Sequence, residues 1–151
     1  MANLAAMLKN AGQFAASESL GQEALQIERR KLGNENPVTI GQMFNLADVL
    51  EKLGRDAEAE KLMQETWEHE VKVFGLDHPQ TARSSYELAQ WAAHRGDREK
   101  ALTLLQQAVE HGLDAGTKEN IASDASLKSL HSDPRFAALV AEAKKGATSG
   151  K

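Results

Sequence analysis

Apolar positions in this chain fall at three- and four-residue steps, break at a glycine, and start again. From Pro37 to Leu53, Thr39, Met43, Leu46, Ala47 and Leu50 form one stripe, the pattern of a helix with a single buried face. Asn36 supplies a capping oxygen, Pro37 suits the first helical position because its missing amide hydrogen would have no partner there, and Gly54 supplies a left-handed stop. After a turn of about two residues, Ala59, Leu62, Met63, Thr66, Trp67 and Phe74 make a second stripe that closes at Gly75, so the pair predicts an antiparallel helical hairpin with Trp67 in its core.

The pattern returns from Pro79. Leu88, Ala89 and Ala92 lie on a first helix, Gly96 makes the turn, and Ala101, Leu104, Leu105, Ala108 and Val109 lie on a second helix that ends at Gly112. Trp91 falls off the first stripe and reads as packing on the preceding unit. An earlier copy carries Phe14, Leu20, Ala24, Leu25, Ile27 and Leu32 before Gly33, preceded by a short segment from Ala2 to Ala11. Projected backward, its first helix would begin before Met1, so this unit reads as truncated, with part of the array expected upstream.

The spacing is regular. Asn3 and Asn45, Gly12 and Gly54, Gly33 and Gly75, Pro37 and Pro79, and Thr39 and Thr81 are each 42 residues apart, and Leu46, Ala47 and Gly54 return as Leu88, Ala89 and Gly96. A period of this length predicts stacked units, none able to bury its apolar face alone, and favours a binding surface over catalysis. Past Gly112 the period fails. LDAGTKENIA reads as a loop with one turn of helix, Asp124 to Leu130 as a short helix, and Asp133 with Pro134 as the start of a last helix through Lys145, apolar at Phe136, Leu139 and Val140. That helix is expected to cover the last apolar face. The expected organisation is one repeat domain over 1–145, with repeats 1–33, 37–75 and 79–112 and a cap over 124–145, followed by a disordered tail at 146–151.

NLADVLEKLGRDAEAEKLMQETW and ELAQWAAHRGDREKALTLLQQAV resemble tetratricopeptide repeats, with small residues at Ala47 and Ala89, turn glycines at Gly54 and Gly96, and crossing-point alanines at Ala59 and Ala101. The period and the linkers LGNENPVT and FGLDHPQT resemble the forty-two-residue variety of kinesin light chains and many bacterial proteins, over about residues 3 to 112. ASLKSLHSDPRFAAL is similar to a closing segment of bacterial tetratricopeptide proteins, several of which are regulatory parts of larger chains. The resemblance implies an all-α, right-handed α-solenoid of helix-turn-helix repeats with a C-terminal capping helix. It also implies a concave groove, lined by the first helix of each pair, that accepts a peptide segment of a partner protein.

Carried over by position, the groove residues are Asn3, Lys9, Asn10, Phe44, Asn45, Asp48, Lys52, Arg83, Tyr86, Gln90 and His94. Asn45 sits where such repeats place an asparagine that grips a ligand backbone, which suits an amide's two donors and one acceptor. Asn3 matches it in the first repeat, whereas Glu87 replaces it in the third. The resemblance also extends to chaperone-tail-binding tetratricopeptide domains, which hold a terminal carboxylate at groove positions filled here by Ala2, Ala6, Asn45, Arg83 and Glu87; only Asn45 and Arg83 suit that task, so such a clamp is not expected.

Composition narrows the classes further. The net charge of −4 lacks the basic field that nucleic-acid binding needs. Zero cysteines remove disulfides and thiolate sites and fit a cytoplasmic setting. MANLAAMLKN has no basic run before an apolar core, and no stretch approaches the roughly 20 apolar residues of a membrane span, so the reading is soluble and untargeted.

Catalytic chemistry is not evident. His69, His78, His94, His111 and His131 include no pair three or four residues apart, and His69-Glu70 would need a second histidine where Val73 stands. His78 precedes Pro79 as Asn36 precedes Pro37, which predicts a capping role. GATSGK has its glycines one residue too close for a phosphate loop, with no strand before it. Glu58, Glu60, Glu65, Glu68 and Glu70 read mainly as a solvated face, and no serine elbow occurs. The expectation is therefore a non-enzymatic interaction scaffold with no metal and no cofactor. Two alternatives stand beside it: a homo-oligomer formed through the truncated first repeat at Leu4, Met7 and Leu8, and a regulatory or small-molecule-sensing part of a larger signalling protein.

Overall fold

Eight α-helices follow one another among the described residues, 1–148, of the computed structural model, and no strand occurs among them. They are α1 (Ala2–Asn10), α2 (Phe14–Leu32), α3 (Pro37–Lys52), α4 (Asp56–Phe74), α5 (Pro79–His94), α6 (Arg98–Glu110), α7 (Ala115–Asn120) and α8 (Pro134–Thr148), with 3-10 turns at Ile121–Ser123 and Ala125–Leu130. The chain divides into two compact units, Met1–Val73 and the part from Phe74 onward.

The corners are the clearest consequence of sequence. At Gly54 the backbone turns left-handed with φ of 73°; the Gly54 amide bonds the Glu51 carbonyl and the Arg55 amide bonds the Leu50 carbonyl. At Gly96 φ is 83°, and the Gly96 and Asp97 amides bond the carbonyls of Ala93 and Ala92. The same pair of bonds closes α1 at Gly12. This is the Schellman arrangement, which satisfies the last carbonyls of one helix while reversing the chain into the next. The predicted caps also form: Asn36 Oδ1 accepts from the Val38 amide at 2.9 Å, and His78 Nδ1 from the Gln80 amide at 3.3 Å.

In the first unit α1 packs on α2 and α2 on α3. Thr39, Met43, Leu46, Ala47 and Leu50 are all buried as the stripe requires, and Ile40, Gln42 and Val49 join them. Gly21 lets α2 and α3 approach: a Cβ there would stand 3.2 Å from Gln42 Nε2, and that nitrogen donates to the Gly21 carbonyl at 3.1 Å. Ser17 Oγ donates to the Ala5 carbonyl at 2.8 Å. Arg29–Glu65 pairs α2 with α4, while Arg55 and Glu35, in the connecting turns, pair with Glu18 of α2 and Lys72 of α4. Trp67 lies half-buried, not fully in the core as its stripe predicts, because it stands at the edge of the face set by Ala59, Met63 and Thr66.

In the second unit Leu88, Ala89 and Ala92 of α5 meet Ala101, Leu105 and Ala108 of α6 in a core with almost no exposed surface. Trp91 is half-buried. The segment after Gly112 supplies Leu113, Ile121, Leu127, Leu130 and Phe136, all buried. Asp114 caps α7 through the Thr117 amide, and Asp133 caps α8 through the Arg135 amide at 2.9 Å. The stretch read as a loop thus holds a short helix and a 3-10 turn. Helix α8 continues through Thr148, past the expected end at Lys145. Residues 146–148 of the expected disordered tail are therefore helical: alanine and lysine in AEAKKGAT favour the helix enough to carry it through Gly146. The remainder of that tail, 149–151, lies outside the described residues.

Candidate functional site

The residues singled out as a groove fall into two clusters, one in each unit. In the first, Lys9 of α1 reaches α3, where Asn45 and Asp48 stand one turn apart on the same face. Its ammonium lies 2.8 Å from Asp48 Oδ2 and donates to Asn45 Oδ1 at 3.2 Å. This bond fixes the orientation of the Asn45 amide: the oxygen faces Lys9, so the NH2 group faces away, and it makes no hydrogen bond among the described residues. Phe44 is half-buried, and Lys52 is exposed with Glu51 Oε2 at 3.3 Å from its ammonium. Asn3 and Asn10 are exposed along α1, and Gly41 of α3 opens onto empty space. Behind Lys9 and Asn45 the helices enclose only about 10 Å³, far below the roughly 300 Å³ at which ligand pockets begin.

The second cluster is built differently. Tyr86, expected to line the groove, is buried; its hydroxyl donates to Asp124 Oδ2 at 2.5 Å, and Gln90 Nε2 donates to the same oxygen at 2.6 Å. The other carboxylate oxygen accepts from the Ser126 amide at 2.8 Å and so caps the 3-10 turn. Burial pushes the Asp124 carboxyl up, but the bonds from Tyr86, Gln90 and Ser126 outweigh it and hold the group below the usual aspartate value. Burial, then the bond to Asp124 and its charge, push the Tyr86 phenol far above its ordinary value. Tyr86 and Gln90 are thus occupied by the chain's own C-terminal segment, which Ser129 also ties to the Ala93 carbonyl of α5. Arg83 pairs with Glu87 at 3.1 Å, and both Arg83 and His94 stay exposed.

Asp124 is the participant that sequence reasoning missed. In the sequence it shows only as the polar residue before a short apolar run, and a cap is the role that position suggests. Elsewhere, no grouping of three or more metal-ligating side chains occurs among the described residues, and no helix among them is long and apolar enough to cross a membrane.

Comparison with known proteins agrees with the helical hairpins. No curated protein matches the chain. Among solved structures, a Podosopora anserina chain described as a kinesin light chain with nearly identical TPR-like repeats superposes with a TM-score of 0.77 at 19% identity, over 99% of this chain and 74% of that one. A variant of that same protein, also solved as a crystal structure, gives 0.67 at 22% identity, over 98% and 71%. BtubC (BKLC) from P. vanneervenii gives 0.76 at 20% identity, over 98% of this chain and 63% of its own length. At such identities the likeness shows the fold, an all-α solenoid of helix-turn-helix repeats. The tetratricopeptide repeat family model matches residues 1–68 and 39–111, and repeats of this kind generally mediate protein–protein interaction. The chain belongs to the tetratricopeptide repeat family.

Proposed function

We propose that this protein is a non-catalytic interaction module, and that the face of α1 and α3 carrying Lys9, Phe44, Asn45, Asp48 and Lys52 takes an extended peptide segment of a partner. The observation that carries this reading is the Asn45 amide. Lys9 holds its oxygen, and two N–H donors are left for a ligand's backbone carbonyl. Asp48 neutralises Lys9 at 2.8 Å, so the face offers hydrogen bonds beside a half-buried aromatic instead of one strong charge. In the second unit Tyr86 and Gln90 hold Asp124, which leaves Arg83 and His94 as the exposed candidates on α5. The reading excludes a metabolite held behind Asn45, since the space there is too small.

The test is a library of extended peptides screened by fluorescence anisotropy, with a metabolite thermal-shift screen alongside. A hit with Kd on the order of micromolar, weakened about tenfold or more by Asn45→Ala, supports the proposal. Peptide hits indifferent to Asn45→Ala, or a metabolite hit with no peptide hit, overturn it.

A further inference from the structure

The Lys9 ammonium of α1 holds two side chains of α3 at once, Asn45 through Oδ1 and Asp48 through Oδ2. Each of them has a second polar end. Asn45 Nδ2 and Asp48 Oδ1 make no hydrogen bond among the described residues. Asn45 is half-buried and the Asp48 side chain keeps 26% of its surface, so both ends reach solvent. Because one ammonium draws both inner oxygens toward α1, a donor and an acceptor are turned outward side by side, one helical turn apart. Gly41 lies one turn before Asn45 on the same face, with nothing within 4 Å of where a Cβ would stand. At Gly21 a Cβ would meet Gln42, whereas at Gly41 neither packing nor a left-handed backbone asks for glycine. A glycine inside a helix costs stability relative to alanine, and what this one provides is an open approach to the Asn45 and Asp48 ends. One repeat on, the same three positions carry Arg83, Glu87 and Gln90; there Arg83 pairs with Glu87, and Gln90 is held by Asp124.

We infer that Asn45 and Asp48 together grip the main chain of a single ligand residue, Asn45 donating to its carbonyl and Asp48 Oδ1 accepting from its N–H. An extended residue turns its own N–H and C=O to the same edge, which is how a strand residue exchanges both bonds with one residue opposite. The two side chains present the matching edge. This inference rests on the peptide reading above and names what the face recognises: an uncharged backbone amide unit in extended form. A ligand carboxylate in that place would meet the like charge of Asp48, and an ammonium or guanidinium would set its N–H groups against those of Asn45. Lys9 is a positioning residue, since it touches the two gripping side chains and not the ligand.

The probe is the strongest binder in a library of short, end-blocked, fluorescein-labelled peptides, measured by anisotropy on the whole chain. It is remade with each backbone amide in turn replaced by an ester, which removes that N–H. One replacement should weaken binding to the parent about tenfold, as loss of a bond to a carboxylate requires, and should weaken binding to Asp48→Ala by less than about twofold. A purely structural role for Asp48 would weaken every peptide alike and leave no such coupling. Gly41→Gln, verified as folded by circular dichroism, should be at least as stable as the parent and bind the probe about fivefold or more weakly. No peptide binding to the parent overturns the peptide reading and this inference with it. Binding that Asn45→Ala weakens, but with the same ester profile in the parent and in Asp48→Ala, overturns this inference alone. So does a loss that follows an Asn or Gln side chain of the probe instead of a backbone position, or full-strength binding to Gly41→Gln.

Discussion

Two glycines with the same sign of φ answer to different constraints. Gly54 turns at +73° with open space where a Cβ would stand, so Gly54→Ala meets only the left-handed backbone penalty, roughly 1–2 kcal/mol. Gly112 turns at +91°, and a Cβ there would lie 2.7 Å from the Asp77 carbonyl oxygen, which no rotamer change relieves. Gly112→Ala should therefore cost more, roughly 2–4 kcal/mol, and urea denaturation of the two variants should rank them in that order. The Tyr86–Asp124 bond makes a second residue-scale prediction, with a pH signature. Tyr86→Phe removes a donor to a carboxylate and should cost about 1.5–3 kcal/mol at neutral pH. Asp124 has its folded-state pKa depressed, so its contribution is complete above the ordinary aspartate value of about 3.9 and is lost as pH falls through the lower folded value. The gap between parent and variant should then narrow under acid. Tyr86 has its folded pKa raised, so the parent should also lose stability above about pH 10, where the unfolded phenol ionises first, and the phenylalanine variant should lack that loss. A gap constant from pH 3 to pH 7, within roughly 0.3 kcal/mol, would show that Asp124 is not the partner that matters.

At the scale of elements, what could be read from the chain and what could not separate by physical cause. Stripes, caps and corners are local, each requiring particular residue types within a few positions. That is why Asn36, His78, Gly54, Gly96 and the Asp133-Pro134 start were all legible. Cap strength is checkable: Asn36→Ala should lower stability by about 1 kcal/mol through loss of the bond to the Val38 amide. Contacts between polar side chains far apart in sequence leave no periodic trace. Gln42 and Gly21 belong to no apolar stripe, yet Gln42 is buried with its amide on the Gly21 carbonyl, and a Cβ at Gly21 would stand 3.2 Å from that amide. The same holds for the candidate site. Position along the repeat could nominate Lys9, Asn45, Tyr86 and Gln90. It could not show that Lys9 orients Asn45, nor that Asp124, 38 residues from Tyr86, occupies the other pair. On α1 the sequence nominates Leu4, Met7 and Leu8 together, and packing separates them: Leu4 and Met7 are exposed, whereas Leu8 is half-buried.

For the molecule as a whole, the segment after Gly112 decides how the repeats end. In a linear array each hairpin is stabilised by its own contacts and by those with its neighbours, so a final hairpin needs a cover. Here the cover is not a detachable plate. Leu113, Ile121, Leu127, Leu130 and Phe136 are all buried, and full burial of a large apolar side chain is worth about 1.5–3 kcal/mol. Five of them approach the roughly 5–15 kcal/mol by which a whole domain is stable. Polar ties add to this: Asp124 to Tyr86 and Gln90, Ser129 to the Ala93 carbonyl, and Arg135 to Glu99. A chain ended at Gly112 should consequently fail to keep α5 and α6 folded, even though the repeat pattern that specifies them is intact. Hydrogen exchange followed by mass spectrometry should find the amides of Pro79–Glu110 exchanging at rates close to those of an unfolded chain, where the full chain protects them. The single substitution Leu130→Ala should move partway, losing about 2–5 kcal/mol. Protection of α5 and α6 unchanged in the shortened chain would mean that the hairpin is stable without its cover, and that the C-terminal segment lies on the second unit without being part of its core.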